Sequence, residues 1–141
     1  MRETEAKELL ISRAREASLA SYSPYSRFRV GASVLDDRGK VFCGCNVENS
    51  SYPVGICAER LAAARAVMDG ARGIEALAVF SPDSKGPCYP CGMCLQFLSE
   101  FASPGTRVFL VDPSSGEVLV LSFCDLLPFA FGASSMGGDG R

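Results

Sequence analysis

The chain has 141 residues, 48% apolar and 21% charged, which suits a single globular domain able to bury a sizeable core. Its formal net charge of −2 excludes the strongly basic surface of a nucleic-acid-binding protein. No apolar run approaches a membrane span, and seven cysteines cannot all pair within one chain.

The N-terminal stretch MRETEAKELL lacks the apolar core of a secretory signal, so a reducing cytoplasm is the expected compartment. Thr4 is the expected N-cap of a helix over 5–20, because Ala6, Leu9, Leu10, Ala14 and Ala17 recur at helical spacing. SYSPYS breaks it. FRVGASVL (28–35), the tight turn DDRGK and VFCGCNV (41–47) predict a β-hairpin. CAERLAAARAVM (57–68), almost all apolar or alanine, predicts a helix buried on several sides and ended by Asp69-Gly70. A continuous apolar strand follows at 74–81, then a helix over 90–102 with Pro90 in its first turn. Strands at 106–112 and 118–123 flank the turn PSSGE, and Ser122 with Asp125 resembles a capping box for a short helix. Residues 132–141, rich in glycine and serine, read as a loose tail of this one domain, 1–141.

A helix between strands predicts parallel neighbours with helices on both faces of the sheet. PSSGE is too short for a parallel crossover, so the last two strands must be antiparallel. The expected fold is therefore α/β, three layers around a five-stranded mixed sheet.

The stretch PCYPCGMCLQF spaces Cys88, Cys91 and Cys94 evenly. Cys91 and Cys94 sit where one helix begins, and Cys57 begins another. Helix N-termini carry about half a positive charge each, so two pointing together favour thiolates. Three thiolates on Zn²⁺ leave a net charge near −1, which those ends offset, and a fourth position stays open as in catalytic zinc sites. The absence of histidine is then no obstacle. An iron–sulfur cluster would need another cysteine after a gap of three residues from Cys94, and Leu98 stands there. A closed zinc site with Cys88 as fourth ligand, or a redox CxxC, remain as rivals. Cys43, Cys45 and Cys124 lie in apolar segments and read as small buried side chains. Arg27 with Arg29 reads as a solvated face. Glu59 has a structural excuse in a first helical turn, but two residues from a candidate zinc ligand it becomes a candidate proton shuttle.

CAER at 57–60, paired with PCGMC at 90–94, resembles the free-nucleoside cytidine deaminases, in the all-cysteine form of the zinc-deaminase signature. SPYSRFRVGA is similar to that family's strand after helix one, GCNVENSSY to its nucleoside loop, and LLPFAFG to its C-terminal motif. The resemblance implies a cytidine deaminase-like fold with Cys57, Cys91 and Cys94 on one Zn²⁺ per subunit, Glu59 as the acid–base group and Arg60 hydrogen-bonding the ligand sulfurs. It further implies that Asn46 and Glu48 meet the ribose hydroxyls, that Phe28 packs on the pyrimidine, and that Ala58 also contacts substrate. Phe131, with Tyr52, would close the pocket of a neighbouring subunit in a homotetramer. The implied activity is hydrolysis of cytidine and deoxycytidine to uridine, deoxyuridine and ammonia, with no nucleic-acid or membrane partner. Relatives acting on polynucleotides usually insert a helix between the last two strands, and none fits here.

Two departures stand out. The family usually has arginine before the glutamine that follows PCxxC, and here Leu95 precedes Gln96. CYP also replaces a small residue before the proline. Leu95 keeps open a deaminase of a modified cytosine nucleoside or nucleoside antibiotic. Outside the enzyme class, the alternative is a zinc-stabilised interaction domain with four sulfurs.

Overall fold

Strand-forming and helix-forming segments alternate along the chain, and the strands combine into one sheet. In the computed structural model, which describes residues 2–137, the elements begin with α1 (Glu3–Ser18), β1 (Gly31–Asp36) and β2 (Val41–Cys45). A 3-10 turn (Tyr52–Val54), α2 (Ala58–Met68), β3 (Ile74–Phe80) and α3 (Gly92–Ser99) follow. The chain continues through β4 (Ala102–Val111), β5 (Val118–Ser122), α4 (Phe123–Leu126) and a 3-10 turn (Ala133–Met136).

The sheet order is β2-β1-β3-β4-β5. β3 and β4 are parallel, and β4 and β5 are antiparallel, as the short turn between them requires. β1 is antiparallel to both β2 and β3. β2 and β3 therefore point the same way with β1 between them. The parallel crossover through α2 is real, but the adjacent pair β1–β3 is antiparallel, because the hairpin strand takes the intervening place.

Alternating side chains sort the core into two layers. Ala32, Val34, Leu77, Val79, Val108 and Leu110 meet the buried residues of α2 and α3. Ala76, Ala78, Phe80, Phe109 and Val111 meet Leu10 and Ala14 of α1 on the other face. The sheet thus lies between α1 and the α2–α3 pair.

Alanines on α2 and a glycine on β2 let the two backbones touch. A Cβ at Gly44 would stand 2.5 Å from both the Ala58 carbonyl and the Ala62 amide. That contact seats the first turn of α2, which carries Cys57 and Glu59. Gly44→Ala must push the helix away and is expected to lose about 2 kcal/mol of stability. Urea unfolding measures this; wild-type stability would mean the helix has room to spare.

Several expected boundaries move. α1 starts at Glu3 rather than after Thr4. No side chain caps it; instead acidic Glu3 and Glu5 occupy the positive end, and Arg2 Nε donates to Glu5 Oε1 at 2.7 Å. β1 starts at Gly31 rather than Phe28, because side chains already hold the Phe28 backbone. Ser26 Oγ accepts its amide at 3.0 Å and Asn46 Nδ2 donates to its carbonyl at 2.7 Å. Pro90 precedes the N-cap Cys91 instead of lying in the first turn of α3. α3 stops at Ser99 because Ala102 pairs with Ile74. The Ser122–Asp125 capping box is present, the Ser122 amide donating to Asp125 Oδ2 at 2.9 Å. Cys43 and Cys45 are half-buried and Cys124 is exposed, so none is the fully buried filler expected. Of the tail over 132–141, the described part contains the Ala133–Met136 turn, and 138–141 lie outside the described residues. Among the described residues, no helix is long and apolar enough to cross a membrane.

Candidate metal centre and substrate cleft

Strand direction brings the cysteines together. β2 and β3 finish at the same end of the sheet, where Cys45 and Phe80 both lie opposite Gly31. The helices that follow them, α2 and α3, pack on the same face and so begin near one point, beyond the carboxyl ends of those strands. Cys57 is the N-cap of α2, Cys91 the N-cap of α3, and Cys94 lies in the first turn of α3. The Cys57 and Cys91 sulfurs are 3.9 Å apart, those of Cys91 and Cys94 are 3.5 Å apart, and all three lie within 4.8 Å of one another. Tetrahedral ligands at a Zn–S distance of ~2.3 Å stand about 3.8 Å apart, so the cluster has the size zinc requires.

Its charges fit as well. Hydrogen bonding from Cys94 brings the Cys57 thiol down to about 5 against the opposing effect of burial, with further help from Arg60 and Cys91. Cys94 shifts upward, chiefly because it serves as that donor and because burial penalises its charge. Cys57 thus ionises readily, while Cys94 holds its proton until a cation displaces it. Burial works against the Arg60 guanidinium, yet the Cys57 and Cys94 sulfurs raise its pKa. Arg60 Nη2 donates to the Gly55 carbonyl at 3.3 Å, while its Nε is buried with no partner among the described residues. An unmet buried donor beside anionic sulfur suits a centre whose charge needs balancing.

Glu59 is 4% exposed. Burial raises its carboxyl to about 7, and the charge of Cys57 adds to the rise. A group poised there can both accept and give a proton near neutral pH.

Glu59 faces a cleft of about 390 Å³ together with Phe28, Asn46, Glu48 and Ala58, beside Cys57 and Cys91. That volume falls within the ordinary range of small-molecule sites. Glu48 Oε1 accepts the Tyr25 and Ser26 amides at 3.0 and 3.1 Å, and the Ser26 hydroxyl donates to Oε2. The Ser26 hydroxyl is foremost in holding Glu48 below the usual carboxylate range. Asn46 Oδ1 accepts the Val30 amide at 2.9 Å and the Ser21 hydroxyl at 2.5 Å, which leaves one N–H of its amide beyond the bond to Phe28. Both side chains are thus oriented before any ligand arrives.

The sequence did not nominate Ser26, Val30 or Tyr89 for the site and offered Cys88 only as a rival metal ligand, yet all four complete the cleft wall. Only the unusual CYP tripeptide hinted at two of them. Cys88 stays outside the three-sulfur group, and its thiol is pushed up to about 12 by burial, then by the charges of Glu59 and Cys57. Leu95 is buried in the apolar layer with Leu98 and Phe123, so no cation occupies that place. Phe131 does not reach the cleft of its own chain. It is 61% exposed, and its carbonyl accepts Gln96 Nε2 at 3.0 Å. Tyr52 is also exposed, its ring 5.7 Å from that of Tyr25.

A family model of the cytidine and deoxycytidylate deaminase zinc-binding region matches residues 4–110. A cytidine deaminase of Sporosarcina psychrophila is 43% identical over 124 residues, 88% of this chain and 90% of that protein. One from Halalkalibacterium halodurans is 41% identical over 130 residues, 92% of this chain and 97% of that protein. The crystal structure of the cytidine deaminase from Burkholderia pseudomallei has a TM-score of 0.83 at 43% identity, covering 93% of this chain and 100% of that one. That from Mycobacterium tuberculosis has a TM-score of 0.75 at 37% identity, covering 89% and 96%.

Proposed function

The chain belongs to the cytidine deaminase family, and on that premise we propose that it hydrolyses free cytidine and deoxycytidine to uridine and deoxyuridine, releasing ammonia. The observation that carries this is the convergence of three sulfurs from two helix starts beside the buried carboxyl of Glu59.

Cys57, Cys91 and Cys94 would hold one zinc ion per chain, which when bound supplies the Lewis acidity that makes water reactive near pH 7. Glu59 takes a proton from the water that adds to C4 of the base and delivers it to N3. The same carboxyl then carries a proton to the exocyclic nitrogen, which leaves as ammonia. One water enters, one ammonia departs, and Glu59 ends as it began. Phe28 packs on the pyrimidine face, with Ala58 at the same wall. The free N–H of Asn46 and the ionised Glu48 meet the ribose hydroxyls, a donor and an acceptor for a neutral diol. Because both are already oriented, the sugar is held without reordering the cleft. Incubating the purified, zinc-loaded protein with cytidine tests this reading: uridine and ammonia should appear in equal amounts, and their absence would refute it.

Arg60 offsets the negative charge of the sulfurs. Arg60→Ala is expected to weaken zinc binding or lower kcat/KM by roughly 10- to 100-fold. Competition against a chelator and steady-state kinetics read both; no change in either would make Arg60 a packing residue. Cys88→Ser should retain full zinc by metal analysis. Loss of half the metal or more would instead support the four-sulfur interaction domain.

The exposed Phe131 and Tyr52 support a homotetramer in which subunits close each other's clefts. Seven free thiols suit a reducing cytoplasm. The tight β4–β5 connection and the acidic net charge favour free nucleosides over polynucleotides. A second reading, deamination of a modified cytosine nucleoside, draws on Tyr89 in the cleft wall, and a substrate panel followed by ultraviolet absorbance separates the two.

A further inference from the structure

The segment that carries Phe28 is fixed by more bonds than its chemistry needs. Arg27 has φ +57°, a left-handed conformation that residues with a Cβ seldom adopt. Strained backbone of this kind persists only where surrounding contacts over-determine it. Here they do. The Arg27 amide donates to the Ser23 carbonyl at 2.9 Å, and Ser26 and Asn46 hold the amide and carbonyl of Phe28. The next residue, Arg29, is held to Asp83 by three bonds. Its amide and Nε donate to Oδ2 at 2.9 and 3.0 Å, and Nη2 donates to Oδ1 at 2.9 Å.

Asp83 belongs to the loop that leaves β3 and leads through Cys88 and Tyr89 to Cys91. The register of Gly31 opposite Phe80 sets that loop beside the segment entering β1. The cleft has Phe28 and Val30 from one segment and Cys88, Tyr89 and Cys91 from the other, whereas neither Arg29 nor Asp83 lines it. We propose that the Arg29–Asp83 pair is a positioning clamp that ties these two walls together and sets how tightly the cleft grips its nucleoside.

An exposed ion pair ordinarily adds little to stability. A two-pronged guanidinium–carboxylate contact reinforced by a backbone amide instead fixes geometry. Its effect belongs in substrate binding, not in the fold or in proton transfer. Asp83 is held down to about 2, chiefly by the Arg29 side chain, so the clamp stays charged at any working pH. The inference rests on the cytidine reading above.

The test compares wild type with Asp83→Ala, Arg29→Ala, the double variant and Asp83→Asn, which keeps an acceptor for the Arg29 amide. Cytidine kinetics, uridine affinity by calorimetry and zinc content are read for each. Asp83→Ala and Arg29→Ala should each raise KM and the uridine Kd about 5- to 10-fold, with kcat within about twofold and full zinc. The double variant should be no worse than either single, as expected of one shared contact, and Asp83→Asn should fall between. KM and Kd within twofold of wild type in both single variants would overturn the clamp, and so would a fall in kcat that tracks zinc loss. If Asp83→Ala fails to fold, Asp83→Asn and Arg29→Ala decide by the same measures. A wild-type protein that binds uridine but never turns over cytidine would defeat the activity reading while the Kd comparison still judges the clamp.

Discussion

Glu59→Gln is expected to lower kcat for cytidine by about 10³-fold or more while leaving the zinc content near one per chain. The amide matches the carboxyl in shape but cannot accept a proton from water or pass one to the base. The fold should not suffer, because burial already disfavours the charged form at this position, raising its pKa from 4.5 to about 7. That shift also has a readable consequence in the metal-free protein. Between pH 4.5 and 7 the folded state keeps a proton on Glu59 that the unfolded chain releases, so this residue's contribution to stability falls as pH rises through that window. Cys57, lowered to about 5, acts in the opposite sense above that pH, but it is present in both proteins and cancels in their difference. Metal-free Glu59→Gln should therefore gain on metal-free wild type as pH rises from 4.5 to 7. Urea unfolding at several pH values follows the gain, and normal turnover by the variant would remove Glu59 from the reaction.

Cys57→Ser carries the second large effect. Zinc should drop from one per chain to less than about a tenth, and cytidine turnover should fall at least about tenfold with it. A hydroxyl ionises far less readily than a thiol, and two remaining sulfurs hold zinc poorly. Unfolding does not confound the result at this position. Cys57 is an N-cap whose sulfur makes no capping hydrogen bond, and serine is among the residues that cap helices best. The circular dichroism of the variant should match wild type while metal analysis shows the loss. A full complement of zinc would mean that other side chains bind the ion.

The parts of this design that depend on neighbours in sequence could be read from the sequence. Cys91 and Cys94 share a helical turn, Cys57 and Glu59 open another, and the alanines of α2 announce close packing. The antiparallel β4–β5 pair followed from loop length alone. What was missed depends on partners far along the chain. Phe28 looks like a strand residue, but Asn46, 18 positions away, takes its carbonyl. Ala102 continues an apolar helical pattern, yet Ile74 draws it into the sheet. The pair Arg29 and Asp83 spans 54 positions, so Arg29 reads as an ordinary solvated cation until the loops are folded together. The antiparallel β1–β3 contact is likewise a matter of where the hairpin docks.

Zinc-edge X-ray absorption on the purified protein examines the open three-sulfur centre itself. Three sulfur neighbours at about 2.3 Å and one lighter atom are predicted. A shell of four sulfurs would leave water no place beside Glu59 and would contradict a catalytic site.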